Sequence, residues 1–210
     1  MAAFRAAIAR GFGIECDVRA SRDGVAMVFH DPDLARLTGT EGLVAELSTE
    51  ALDGLRLRDG SALPRLDALL DLCGNHTPLL IEIKMKGRHV APICSAVARD
   101  LARHPDVRAA VMSFNPVAMR WFARHMPAVA RGLVVTQQGK PRWRGRIERS
   151  LALWTARPDF VACDIRDLPS PFSRHTRSRG LPVLSWTVRT AEERARAARH
   201  ADQIIFEERS

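Results

Sequence analysis

The chain has no apolar run long enough to cross a bilayer, which excludes a helical transmembrane segment. No signal peptide is legible, because Arg5 and Arg10 interrupt the N-terminal stretch before an apolar core can form. Cysteine is scarce: Cys16, Cys73, Cys94 and Cys163 are scattered and form no C-x-x-C pair. That spacing suggests neither a zinc site nor a disulfide framework, and a reducing cytoplasm is the expected location. No glycine-rich phosphate turn follows an early strand, as a doubly wound nucleotide-binding sheet would show. Internal repeats and a dividing linker are absent as well. Acidic charge is in the minority, with 24 Asp and Glu against 32 Lys and Arg, for a formal net charge of +8. Such an excess can mark a nucleic-acid binder. Here the arginines are spread along the chain, and they read as the dressing of outer helix faces. The densest cluster, Lys140-Pro141-Arg142-Trp143-Arg144-Gly145-Arg146, could contact phosphate but holds no recognisable nucleic-acid motif. No nucleic-acid partner is expected.

Aromatic residues amount to only 6%, yet the hydrophobic fraction of 46% fits a globular protein and argues against disorder. The 210 residues suit one domain, 1–210, with a sizeable core. Residues Ala2 to Arg10 read as a helix, ended by Gly11 and Gly13. Strand Ile14–Arg19 follows, then a turn at Ser21-Arg22-Asp23-Gly24 and a second strand-like run, Val25–His30. These two runs form either a hairpin or one kinked strand. Residues 31–65 read as polar and irregular, a long excursion of the kind that is often functional.

From Pro64 onward helices and strands alternate. The predicted helices are Leu66–Cys73, Val90–Arg103, Pro116–His125 with Asn115 as N-cap, Arg144–Ala156, Pro171–Arg179, and Ala191–His200 capped by Thr190. The predicted strands are Leu79–Lys84, Ala109–Phe114, Gly132–Thr136, Phe160–Ile165, Pro182–Val188 and Gln203–Phe206. Alternation of this kind argues for parallel β-α units. Counting Ile14–His30 once gives seven strand positions. The expected fold is therefore α/β, a TIM (β/α)8 barrel lacking its first strand.

Two short segments stand out. In Glu15-Cys16-Asp17 and in Ile81-Glu82-Ile83-Lys84, strand alternation puts the charged side chains on one face. If both strands lie in one sheet, three carboxylates converge. In a poorly hydrated cleft such groups repel unless a cation sits among them, which points to a hard, oxygen-liking divalent metal. A structural ion pair between Glu82 and Lys84 is the rival reading. His30-Asp31 sits where a strand run meets a loop, the catalytic end of a barrel. His30 is either a proton-transfer group or a loop histidine bound to a backbone carbonyl. Most of the other histidines read as solvated surface residues. Trp186, on the seventh strand, is either core packing or a flat wall for a small ligand.

The ordered set Ile14-Glu15-Cys16-Asp17-Val18, Asp23-Gly24, Val28-Phe29-His30-Asp31, Leu37-Thr38-Gly39, Ile81-Glu82-Ile83-Lys84, Ser113-Phe114-Asn115 and Trp186-Thr187-Val188 resembles the glycerophosphodiester phosphodiesterase family over almost the whole chain. The resemblance implies a TIM barrel with an insertion after the second strand, at about 31–65. It implies that Glu15, Asp17 and Glu82 bind a divalent metal, Mg²⁺ or Ca²⁺, and that His30 protonates the leaving alcohol. It further implies that Lys84 contacts phosphate and that Trp186 lines a glycerol pocket. The implied reaction belongs to lipid and glycerol metabolism: hydrolysis of a small-molecule glycerophosphodiester to glycerol 3-phosphate and an alcohol. The alternative is a barrel that binds a phosphodiester or a protein partner without turnover. The chain departs from the family pattern in lacking the first-strand H-R-G and the P-E-N that follows. The H-R-G motif supplies the second catalytic histidine. The resemblance thus implies an N-terminally shortened chain with an unpaired barrel edge and impaired activity.

Overall fold

The computed structural model describes residues 1–139 and 142–208. Lys140 and Pro141 of the basic cluster lie outside the described residues, as do the side chains of Arg142, Trp143 and Arg144. The chain divides into two compact units, Met1–Val111 and Met112–Ser210. Among the described residues no helix is long and apolar enough to cross a membrane.

The first unit runs α1 (Ala2–Ala9), β1 (Ile14–Ala20), β2 (Ala26–Val28), α2 (Ala35–Thr38), α3 (Thr49–Gly54), α4 (Leu66–Cys73), β3 (Leu79–Ile83) and α5 (Ala91–Arg103). Strand β4 (Ala109–Ser113) runs across the division. β1 pairs with β3 in parallel and with β2 antiparallel. The hairpin reading of Ile14–His30 therefore holds. Gly24, at φ +79°, supplies the left-handed residue that the turn needs. Along β1 the apolar residues Ile14, Cys16 and Val18 are buried, while Glu15, Asp17 and Arg19 keep partial access to solvent. Packing the apolar face against the core thus sets the direction of the charged face.

The segment 31–65 is more ordered than its polar sequence suggests. It forms α2, a 3-10 turn at Val44–Glu46, and α3. Leu34, Val44, Leu52 and Leu63 are buried in a small core shared with Met27 and Phe29. Helices of four and six residues are too short to display a 3.6-residue period, so this core left no periodic trace. Each such side chain contributes about 1.5–3 kcal/mol on burial. Ser48 caps α3 by accepting from Ala51 N at 3.3 Å. Asp23 Oδ1 clamps the segment to the hairpin turn, accepting from Ser21 Oγ at 2.7 Å, Thr49 N at 2.9 Å and Thr49 Oγ1 at 2.8 Å. The Ser21 and Thr49 hydrogen bonds lower the Asp23 carboxyl to about 2.

The second unit runs α6 (Pro116–His125), β5 (Ala130–Val135), α7 (Arg142–Ala156), β6 (Phe160–Asp164), α8 (Pro171–Ser178), β7 (Val183–Val188), α9 (Ala191–His200) and β8 (Gln203–Phe206). Strands β5, β6, β7 and β8 pair in parallel in that order. Every residue of β6 is buried, as befits a parallel strand covered on both faces. Gly132 is required by close approach: a Cβ there would lie 2.1 Å from the Phe160 ring. The Asn115 side chain accepts from Val117 N at 3.0 Å, and Thr190 forms a capping box with Glu193.

Candidate active site

The β1–β3 register places Asp17 opposite Glu82 on neighbouring parallel strands. Glu15 lies two residues back on the same face as Asp17. One ligand oxygen from each of Glu15, Asp17 and Glu82 lies within 4.8 Å of the others. Glu82 is buried and the other two are half-buried. Burial, reinforced by the charges of Asp17 and Glu82, pushes the Glu15 carboxyl up to about 8. Burial also raises Glu82, against the opposing pull of Lys84.

Lys84 projects into this cluster. Its Nζ is 2.6 Å from Glu82 Oε1 and 3.1 Å from Asp17 Oδ1. Burial disfavours the ammonium charge, but Glu82 and Asp17 outweigh it, and the net shift is upward. The ion pair that rivalled the metal reading is therefore present, and it is incomplete as a counter-charge. The Lys84 ammonium pairs with two of the three carboxylates, and Arg19 acts on the same two, so the positive charge falls short of three. Glu82 Oε1 makes the ion pair but no well-aligned hydrogen bond. The donor set is all oxygen, closely spaced and deficient in positive charge, which is what a hard divalent cation requires. The residues fit such an ion.

Arg19 continues the same face of β1 beyond Asp17. Its Nε donates to His30 O at 2.9 Å and its Nη1 to Lys84 O at 3.3 Å, tying the end of β2 to the end of β3. The reading of the sequence did not single it out. The two-residue step Glu15, Asp17, Arg19 was the signal available.

His30 is brought beside the carboxylates through the backbone, since Phe29 N donates to Asp17 O at 2.9 Å. Its partner is a carboxylate and not a backbone carbonyl: Nδ1 lies 2.6 Å from Asp31 Oδ1. Arg36 Nε donates to the other Asp31 oxygen at 2.5 Å. Those two bonds, Arg36 first, hold the Asp31 carboxyl down at about 2. Asp31 therefore stays anionic and fixes the Nδ1–H tautomer, which leaves Nε2 for proton exchange. The His30 side chain is 59% exposed, so a ligand can reach it.

Trp186 lies in the second unit. Its indole Nε1 donates to Ala162 O at 3.0 Å, and its ring meets Phe114 edge-on at 5.5 Å. The polar end is thus satisfied internally, and the ring is partly exposed. Other histidines have structural partners: His104 Nδ1 donates to Asp100 O at 2.8 Å, and His125 stacks on Trp121 at 4.1 Å.

The model of the glycerophosphoryl diester phosphodiesterase family matches residues 1–206. The chain belongs to that family. Probable glycerophosphodiester phosphodiesterase 2 of Mycobacterium tuberculosis is 44% identical over 71 residues, which are 33% of this chain and 27% of that protein. Glycerophosphodiester phosphodiesterase 1 of Bos taurus is 25% identical over 237 residues, covering 93% of this chain and 69% of that one. The match thus spans about a quarter of the mycobacterial protein's length and about two thirds of the bovine protein's. Among solved structures, a candidate glycerophosphoryl diester phosphodiesterase of Silicibacter pomeroyi DSS-3 gives a TM-score of 0.84 at 25% identity, over 98% of this chain and 83% of that one. A phosphodiesterase of Oleispira antarctica, solved in complex with the product sn-glycerol-3-phosphate, gives 0.83 at 21% identity over 98% and 85% of the two chains. The fold class is accordingly the α/β TIM-barrel class of this family.

Proposed function

We propose that the protein hydrolyses small-molecule glycerophosphodiesters to glycerol 3-phosphate and an alcohol, with Mg²⁺ or Ca²⁺ held by Glu15, Asp17 and Glu82. The observation that carries this reading is the meeting of those three carboxylates, with the Lys84 ammonium set against two of them, in a chain of this family. The product complex of the Oleispira protein supports the substrate class.

A divalent cation at that site supplies charge neutralisation for phosphoryl oxygens. The chain's own groups do the rest. His30 Nε2 delivers a proton to the alcohol oxygen as its bond to phosphorus breaks. Asp31 orients the ring and steadies the imidazolium before that transfer, and Arg36 keeps Asp31 anionic. Water forms the new bond to phosphorus as the ester P–O bond breaks; the proton it sheds passes to solvent, and the exposed His30 ring takes one back from solvent, so the cycle closes. Lys84, assigned to phosphate by the family likeness, serves the carboxylates first as a counter-charge. Trp186 is assigned to the glycerol moiety on the likeness alone; its nitrogen is already bonded, so it offers a ring face. We place the chemistry in the cytoplasm, in the turnover of lipid-derived diesters, where four buried free thiols fit a reducing compartment.

The test is hydrolysis of glycerophosphocholine by the 210-residue chain, with EDTA and then with added Mg²⁺ or Ca²⁺. Release of glycerol 3-phosphate that depends on the ion is expected. Tight binding of the diester without turnover would replace this reading with that of a binding barrel.

A further inference from the structure

A cavity of about 260 Å³ opens in the first unit between the ends of β1 and β3, the 31–65 segment and the start of α5. We propose that this cavity receives the departing alcohol and selects head groups that carry a second anion, such as a further phosphate. The inference rests on the hydrolytic reading and adds its substrate class.

The cavity adjoins the carboxylate cluster, because Arg19 and Lys84 line it while Lys84 Nζ reaches Asp17 and Glu82. A diester whose phosphorus lies at the cluster can therefore direct one of its two substituents to the cavity mouth. Among the described residues, the lining carries Arg19, Lys84, Lys86 and His89 and no carboxylate. Lys84 is committed to acidic partners. Arg19 donates to two backbone carbonyls, and Asp17, Asp31 and Glu82 also act on it, so the carboxylates offset part of its charge. Lys86 is exposed beside it. The charged side chains lining the wall, Arg19, Lys84 and Lys86, are thus all basic, and Lys86 is the exposed one. The lining also carries apolar groups: Leu43, from the 31–65 segment, is 39% exposed, and Ile93 comes from α5. Such a lining suits a carbon chain ending in an anion and disfavours a quaternary ammonium. At roughly 30 Å³ for each water displaced, the cavity holds about eight or nine waters, which is room for the first part of such a head group, with the remainder reaching towards the exposed rim.

Three substrates of graded head-group charge test the proposal: 1,3-bis(glycerophospho)glycerol (anionic), glycerophosphoglycerol (neutral) and glycerophosphocholine (cationic). The kcat/KM values are expected to fall in that order, by about two- to fivefold per unit of charge, and the spread is expected to shrink with added salt. Lys86→Glu should compress or invert the ratio of the first substrate to the third, and Lys86→Arg should restore it. An unchanged ratio in Lys86→Glu, or a wild-type preference for the choline diester, would overturn the proposal. Absence of turnover with all three would count against the hydrolytic reading instead. Calorimetric binding of 1,3-bis(glycerophospho)glycerol to wild type and Lys86→Glu then decides the cavity's role: weaker binding in the variant upholds it, and equal binding overturns it.

Discussion

Lys84→Met removes the ammonium that faces the carboxylate cluster while keeping much of the length and apolar stem of the side chain. In the wild type that ammonium lies 2.6 Å from Glu82 and 3.1 Å from Asp17. Breaking a buried ion pair by removing one partner costs about 3–5 kcal/mol, because the remaining charge is left uncompensated. The Lys84 side chain is 17% exposed and Glu82 can take up a proton, so the lower end applies, about 3 kcal/mol. That figure holds only without a divalent ion. When an ion supplies the counter-charge in both proteins, the gap between wild type and variant should close to under about 1 kcal/mol. By linkage, closing it by about 2 kcal/mol means that the variant binds the ion about 30-fold more tightly, since Lys84 no longer competes for the same oxygens. Urea unfolding in EDTA and in saturating Mg²⁺ or Ca²⁺ reads both numbers. An equal loss of stability in the two conditions would make Lys84 a packing residue and refute the reasoning. So would ion affinity that stays the same or falls.

Three further outcomes are open to measurement. His30→Ala should lower turnover by about 10²–10⁴-fold while leaving ion binding intact, and near-normal turnover would remove His30 from proton transfer. Leu52→Ala, at a fully buried position in the core of the 31–65 segment, should cost about 2–5 kcal/mol in urea unfolding, and a loss well below that would show the segment to be loosely packed. Asp23, lowered from 3.8 to about 2, binds its proton less readily folded than unfolded. Its stabilising contribution is therefore present above about pH 4 and lost as the pH falls towards 2. Asp23→Asn should flatten the fall in stability across that window, and an unaltered profile would show that the clamp to Thr49 is not formed.

Much of the fold was legible because its signals are local. The spans of α4, α6 and α9 follow from amphipathic spacing and from caps such as Asn115 and Thr190, whose bonds reach only two or three residues ahead. The convergence of Glu15, Asp17 and Glu82 was legible because strand alternation fixes a face and parallel β-α units bring early strands together. What depended on register was hidden. The sequence does not reveal that Asp17 stands opposite Glu82, so it does not reveal that Lys84 is drawn between them or that Arg19 bridges two strand ends. The 31–65 segment misled for a different reason. Its core is assembled from side chains widely separated in sequence, such as Phe29, Val44 and Leu63, on elements too short to show a period. His30 was legible as a candidate, but its pairing with Asp31 and the grip of Arg36 on Asp31 were not.

The central claim is that three side chains from two neighbouring strands share one divalent ion. Calorimetric titration of Mg²⁺ or Ca²⁺ into the metal-free protein and into Glu82→Gln tests it most directly. The account predicts one ion per chain for the wild type and an affinity at least about tenfold weaker for a variant that keeps its circular dichroism spectrum. Wild-type affinity in the folded Glu82→Gln protein would contradict it.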